Sequence, residues 1–190
     1  GRYEQFSRIA PTYVFSGEDK WRDTFKLVAE VVGKTEEAAA WLDDYERKVA
    51  EARTRLQTAI GDETVMFVRF TRAERIQLYG GPSNFAADVL YEDLGLQPSE
   101  LVKKVAWGDE TPTALISAEI IPEFDADHIF ITYDNPDNED AVEFKNNPLW
   151  KNIPAVKKGN LHVVDMFHWM NDGPIAYSKK VDDVMAALLP

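Results

Sequence analysis

Apolar and polar positions follow two different rhythms along the chain. From Trp21 to Val32 the residues Trp21, Phe25, Val28 and Val32 recur at helical spacing, and Gly33 stands where a C-terminal cap belongs. Thr35 opens a second helix through "EEAAAWLDDYERKVAEARTRLQTAI", with Trp41, Leu42, Tyr45 and Val49 on one face and charges of both signs on the others, closed by Gly61. These segments predict about 40 residues of helix before the first strong strand, more than a usual connection within a compact domain. Ahead of them, "GRYEQFSRIAPTYVFSGEDK" reads as a loop with a short strand around "PTYVF", because Pro11 disfavours helix.

After Gly61 short apolar runs alternate with helical patterns. "ETVMFVRF" has the continuous apolar character of a strand buried on both faces, and "RIQLYG" is a second strand. "SNFAADVLYEDLGL" predicts a helix with Ser83 as N-cap, Phe85, Val89 and Leu90 on its buried face, and Gly95 past its end. "ISAEIIPEF" reads as a strand end entering a short helix, "DHIFITYD" as a buried strand, "DNEDAVEFKNNPLW" as helix and loop, and "NLHVVD" as a strand. "GPIAYSKKVDDVMAALL" closes the chain as a helix with Pro174 in its first turn. This order predicts an α/β fold, a three-layer lobe with a mostly parallel sheet, whose ligands sit at the carboxyl ends of the strands.

Composition narrows the chemistry. The 190 residues carry a formal net charge of −12, which repels phosphate backbones and anionic lipid surfaces, so neither nucleic acid nor a bilayer is an expected partner. Without cysteine there is no disulfide, thiolate metal site or thiol nucleophile. No apolar stretch approaches the roughly 18 residues of a membrane span, and no signal peptide opens the chain.

Against that acidic background, "VRFTRAERIQLYGG" places Arg69, Arg72 and Arg75 within seven positions. Arg69 falls at the carboxyl end of its strand, where a guanidinium either offers a planar fork to an anion or pairs with one of the 33 acidic residues. Arg72 and Arg75 border the following turn. Trp169 and His168 in "DMFHWMNDGP", Trp107 in "AWGDETP" and Tyr79 before Gly80 are aromatic or ring-bearing residues near strand ends, open to a contact or a core role. Catalytic signatures are poor: His128, His162 and His168 lack ligand-pair spacing, "GGPSNF" is not a nucleophile elbow, and "DNPDNED" lacks the glycine and closing glutamate of a calcium loop.

Six stretches taken together, "YEQFSRIAPTYVF", "WRDTFKLVAEVVGKTEEAAAWLDDYERKV", "VRF…IQLYG…FAADVLYEDLGL", "ISAEIIPEFDADHIFI", "NNPLWKNIPAVKKGNLHVVD" and "W…GPIAYSKKVDDV", resemble the iron–siderophore solute-binding proteins of bacterial ABC importers, particularly the Gram-positive lipoproteins. The resemblance implies two α/β lobes joined by a long helix, with ligand between them. Residues 1–20 then correspond to the end of the first lobe and its lead-in, 21–60 to the connecting helices, and 61–190 to the second lobe. The signal peptide and lipid-bearing cysteine of such proteins would lie upstream, making the expected location extracytoplasmic, on a lipid anchor or in a periplasm.

By the same resemblance Arg69 is the strand-end arginine that reaches the oxygens of a ferric complex, Trp169 the aromatic before the "GP" helix, and Tyr79 a neighbour of the pocket. The ligand is a ferric siderophore whose iron is chelated by the siderophore itself, so no cofactor is implied. Glu119 in "ISAE" matches a glutamate that pairs with arginines of the permease, with Glu123 close by, and otherwise suits the first turn of a helix. Related cobalamin- and heme-binding proteins share the architecture. Two other readings stand beside this one: a small α/β enzyme with Arg69 as anion clamp and His168 as acid or base, and an interaction module using the Glu119 face.

Overall fold

The computed structural model describes residues 2–15, 20–72, 75–82, 84–108, 112–137 and 139–189, with the side chains of Arg72, Arg75 and Asp140 outside that description. A short helix α1 (Arg2–Ser7) opens the chain, and residues 11–15 carry no regular structure. The strand expected around "PTYVF" is therefore absent: it has no neighbouring strand to complete its ladder, and Tyr13 and Val14 are exposed. Helices α2 (Trp21–Val31) and α3 (Thr35–Ile60) follow as the spacing predicts, separated by Gly33 at φ 69°. Tyr45, Val49, Ala52 and Leu56 form the buried stripe of α3.

Strand β1 (Thr64–Arg72) turns back through β2 (Arg75–Tyr79) as an antiparallel hairpin with Phe67 opposite Tyr79. No regular α-helix follows. Asn84 makes an Asx turn, its side-chain oxygen accepting from Ala86 N at 3.0 Å, and a π-helical turn then covers Val89–Asp93. Val89 and Leu90 are buried as expected, but Phe85 precedes the helical turn and is exposed, and Ser83 lies outside the described residues. Next come β3 (Gln97–Pro98), α4 (Glu100–Val105), β4 (Thr113–Ser117), a 3-10 segment (Ala118–Glu123) and β5 (His128–Tyr133). Helices α5 (Glu139–Asn146), α6 (Pro148–Lys151) and α7 (Pro154–Lys158), strand β6 (Leu161–Val163), and helices α8 (Met166–Trp169) and α9 (Pro174–Leu188) complete the order.

The sheet runs β4-β2-β1-β5-β6, with β3 paired to the start of β1. Parallel pairings of β1 with β3 and β5, and of β5 with β6, outnumber the antiparallel pairings of β2 with β1 and β4. Side chains alternate across β1. Val65 and Phe67 join α3, α9 and Trp169 on one face, while Met66, Val68 and Phe70 pack against Leu101, Phe124, Phe144 and Trp150 on the other. These are the three layers the sequence predicts. Among the described residues no helix is long and apolar enough to cross a membrane.

The helical segment is fastened to the lobe by a buried carboxylate. Asp93 accepts from Tyr45 Oη at 2.5 Å and from an Arg22 guanidinium nitrogen at 2.9 Å, and Arg22 Nε reaches Glu46 at 2.8 Å. Burial pushes the Asp93 carboxyl up against the pull of those two donors. Around it Trp21 packs on Tyr45 and Tyr177 with ring centroids 5.4 and 4.8 Å apart. Asp93→Ala leaves a buried hydroxyl and a half-buried guanidinium without their acceptor, and we expect a loss of about 3 kcal/mol in urea unfolding. A loss below about 1 kcal/mol would mean that Asp93 does not fasten the segment.

Candidate functional site

The carboxyl ends of β1, β5 and β6, the end of β4 and the start of β2 all meet at one edge of the sheet. Arg69 is two residues beyond Phe67 on the face shared with Trp169, with Gln77 and Thr132 as its register partners on either side. Its Nε donates to Asp134 Oδ1 at 2.6 Å, and the side chains of the pair are 26% and 33% exposed. A second contact joins the guanidinium to the Tyr79 hydroxyl, which also donates to Gln77 Oε1 at 2.9 Å. Burial pushes the Tyr79 phenol up despite the opposing influence of Arg69. Thr132, fully buried, has a hydroxyl without a hydrogen-bond partner among the described residues.

Trp169 forms the floor beside Arg69. Its ring lies 4.8 Å from Phe67 and 5.4 Å from Phe130 by centroids, it is wholly buried, and its Nε1–H donates to Asp183 Oδ2 at 2.7 Å. The contact role that the resemblance gives Trp169 is thus corrected to a core one: the indole edge is satisfied by α9 and the ring is packed on the sheet. The exposed aromatic of this short helix is Phe167, 75% accessible, beside Ile175 in an open depression of about 500 Å³ that also takes in Asp165, Asn171 and Lys179. Sequence reasoning passed over Phe167, although its position two residues before Trp169 was a signal.

His168 is tied on both ring nitrogens, Nε2 to Asp183 at 2.6 Å and Nδ1 to Asp165 at 3.3 Å. It braces α8 against α9, with both ring nitrogens engaged by aspartates. The backbones of Arg72 and Arg75 pair with each other at the same sheet edge. Trp107 does not join this group. Because β2 runs antiparallel to β1, Gly81 lies toward the amino end of β1, and it is there that Trp107 bridges to it and packs on Tyr91, whose hydroxyl donates to Val65 O. Glu119 is exposed at the head of the 3-10 segment, directly after β4, with its N–H donating to Ser117 Oγ at 3.3 Å. Glu123 is exposed at the other end of that segment.

The other histidines lie at the opposite sheet edge. His128 Nδ1 is 3.2 Å from His162 Nε2, and its Nε2 meets Glu63 at 2.7 Å. Burial and His128 together lower the His162 pKa to about 4. Among the described residues no group of three or more His, Cys, Asp or Glu side chains is arranged to hold a metal ion.

A partly accessible arginine at the carboxyl edge of a largely parallel sheet, on the face of the buried Phe67 and Trp169, can donate hydrogen bonds to a small oxygen-rich molecule. The chain matches the profile of the periplasmic binding protein family over residues 1–166, and it belongs to that family. It is similar to two Bacillus subtilis proteins. One is the iron(3+)-hydroxamate-binding protein FhuD, 28% identical over 97% of this chain and 58% of FhuD; the other is the probable siderophore-binding lipoprotein YfiY, 33% identical over 96% of this chain and 58% of YfiY. The chain thus spans less than two thirds of the length of these relatives.

Solved structures agree on the architecture. A FhuD fold-family periplasmic binding protein component of a Fep/Fec-like ferrichrome ABC transporter from Bacillus subtilis superposes with a TM-score of 0.86 at 27% identity, over 98% of this chain and 70% of that one. Staphylococcus aureus SirA does so with a TM-score of 0.75 at 30% identity, over 98% and 71%.

Lys180 ties the amino-terminal half of α9 to the segments around Phe85 and Asn171. Fully buried, its Nζ donates to Phe85 O at 2.6 Å and Asn171 O at 3.0 Å and lies 4.5 Å from the Tyr177 ring centroid. Burial lowers its pKa from 10.5 to about 8, against the opposing pull of Asp172, Asp88 and Asp93. Below the folded value both states are protonated and the burial penalty is fully present. Above it the folded chain has lost the proton that the unfolded chain keeps until its own, higher pKa, so stability rises with pH across that window. Between about pH 7.5 and about pH 9.5 the wild type should gain about 2 kcal/mol on Lys180→Met in urea unfolding. A constant difference would show that the lysine is not held in this strained charge state.

Proposed function

We propose that this chain comprises the second lobe and connecting helices of an extracytoplasmic binding protein that holds a ferric siderophore between two lobes and delivers it to an ABC permease. The observation that carries the reading is the Arg69 guanidinium at the carboxyl edge of the sheet, flanked by Tyr79 and floored by Trp169. It offers donors to chelate oxygens, while Phe167 and Ile175, exposed on the segments that follow β6, supply apolar surface suited to the organic backbone. Membership of the periplasmic binding protein family and similarity to proteins named for hydroxamate and siderophore binding support the choice of ligand.

The iron stays in the siderophore's own oxygens and the protein does no chemistry on it. Residues 1–20 complete the first lobe, 21–60 connect the lobes, and 61–190 supply this half of the crevice. Glu119, exposed at the outer corner of the same edge, is the residue that meets the permease, with Glu123 nearby. The protein works outside the cytoplasm, held by a lipid anchor or free in a periplasm.

Titration of the full-length protein with ferric siderophores, followed by tryptophan quenching, tests the reading. Arg69→Ala should weaken binding by roughly tenfold to a hundredfold, the worth of hydrogen bonds to a charged group, and residues 1–190 alone should bind far more weakly than both lobes together. Unchanged affinity in Arg69→Ala, or no response to any ferric chelate, would refute it.

A further inference from the structure

Arg69 does not present a free positive charge. The Asp134 carboxylate sits on its Nε at 2.6 Å, and Asp134 cannot readily drift away, because its backbone N–H donates to Phe70 O at 3.1 Å and so continues the ladder between β5 and β1. About a third of its side chain and a quarter of that of Arg69 remain accessible, so a ligand meeting the guanidinium meets the carboxylate as well. We propose that Asp134 sets the charge selectivity of this crevice: as a built-in counter-anion on Arg69 it leaves hydrogen-bond donors without net attraction, admits uncharged or cationic ferric chelates, and disfavours polyanionic ones. This rests on the siderophore-binding reading and refines it by ligand charge.

The chemistry makes the distinction sharp. Hydroxamate groups cancel the ferric charge as they fill its coordination sphere, whereas catecholates leave the complex strongly anionic. The uncharged complex still accepts hydrogen bonds from the guanidinium nitrogens that Asp134 leaves open. The anionic complex must set its oxygens against a fixed carboxylate, and a like charge at contact range in a half-buried site is costly.

The test uses the full-length protein and two probes, a ferric trihydroxamate and a ferric triscatecholate, with affinities read by tryptophan quenching. Asp134→Asn keeps the shape and removes the charge. The catecholate should bind about tenfold tighter and the hydroxamate change by less than about threefold, so that the ratio of the two dissociation constants shifts. Asp134→Ser should shift the ratio the same way and serves if the first variant is poorly folded by circular dichroism. Asp137→Asn, which removes an equal charge from the same exposed loop, should leave the ratio within about twofold because solvent screens it. If both probes bind but the ratio does not move in either Asp134 variant, or moves equally in Asp137→Asn, Asp134 is no selectivity residue and the transport reading survives. If the wild type binds neither these nor other ferric chelates, the transport reading fails and this inference falls with it.

Discussion

The buried Asp93 carboxylate is the constraint on which the rest of the structure depends. A charge in that position is tolerable only if its oxygens are filled, and the two donors that fill them, Tyr45 and Arg22, come from α3 and α2. Satisfying one residue of the lobe therefore dictates where both helices lie. Arg53 adds to this by donating to the carbonyls of Glu92 and Asp93 from the next turns of α3. The aromatic packing of Trp21 between Tyr45 and Tyr177 then supplies the apolar area, while the polar contacts supply the register. In the two-lobe reading this fastening makes the connecting helices an extension of the second lobe, so that any change in lobe separation must be absorbed before Trp21.

Polar pairing decides the crevice edge as well. Three ring-bearing or charged groups near the carboxyl edge are each already engaged: Arg69 with Asp134 and Tyr79, His168 with two aspartates, and Trp169 with Asp183. Asp183 alone receives both the His168 imidazole and the Trp169 indole. Such engagement fixes side chains before a ligand arrives and so lowers the ordering cost of binding. It also changes what the groups can do, since a guanidinium with its own counter-anion acts as a shaped donor rather than as a charge.

Much of the framework was legible in the sequence because it follows from local rules. The helices from Trp21 and Thr35, the apolar runs of β1 and β5, and the proline start of α9 all appear where periodicity puts them. The misplaced Trp107 had a visible warning. Only Ala73 and Glu74 separate β1 from β2, and a two-residue connection cannot join parallel strands. That alone carries the chain past Tyr79 to Gly81 at the amino end of β1, yet the pair lacks the Asn-Gly type of hairpin signal that usually draws notice. Trp169 and Asp134 are different. Their surroundings depend on Asp183, fourteen positions onward, and on Arg69, sixty-five positions back, and no local pattern encodes contacts at that range.

The arginine at the strand end illustrates why position and charge must be separated. Its place followed from the apolar run before it, and either an anionic ligand or an acidic neighbour could have completed it. The structure joins those alternatives, because the neighbour is present and the guanidinium is still accessible. An unpaired arginine in a chain of net charge −12 would be the strongest local attractor for any anion, chelated iron or not. Pairing it with Asp134 removes that indiscriminate attraction while keeping the planar array of donors. In the siderophore-binding reading, recognition then turns on where a ligand's oxygens lie relative to the donors of Arg69 that Asp134 leaves open, a requirement of shape rather than of charge.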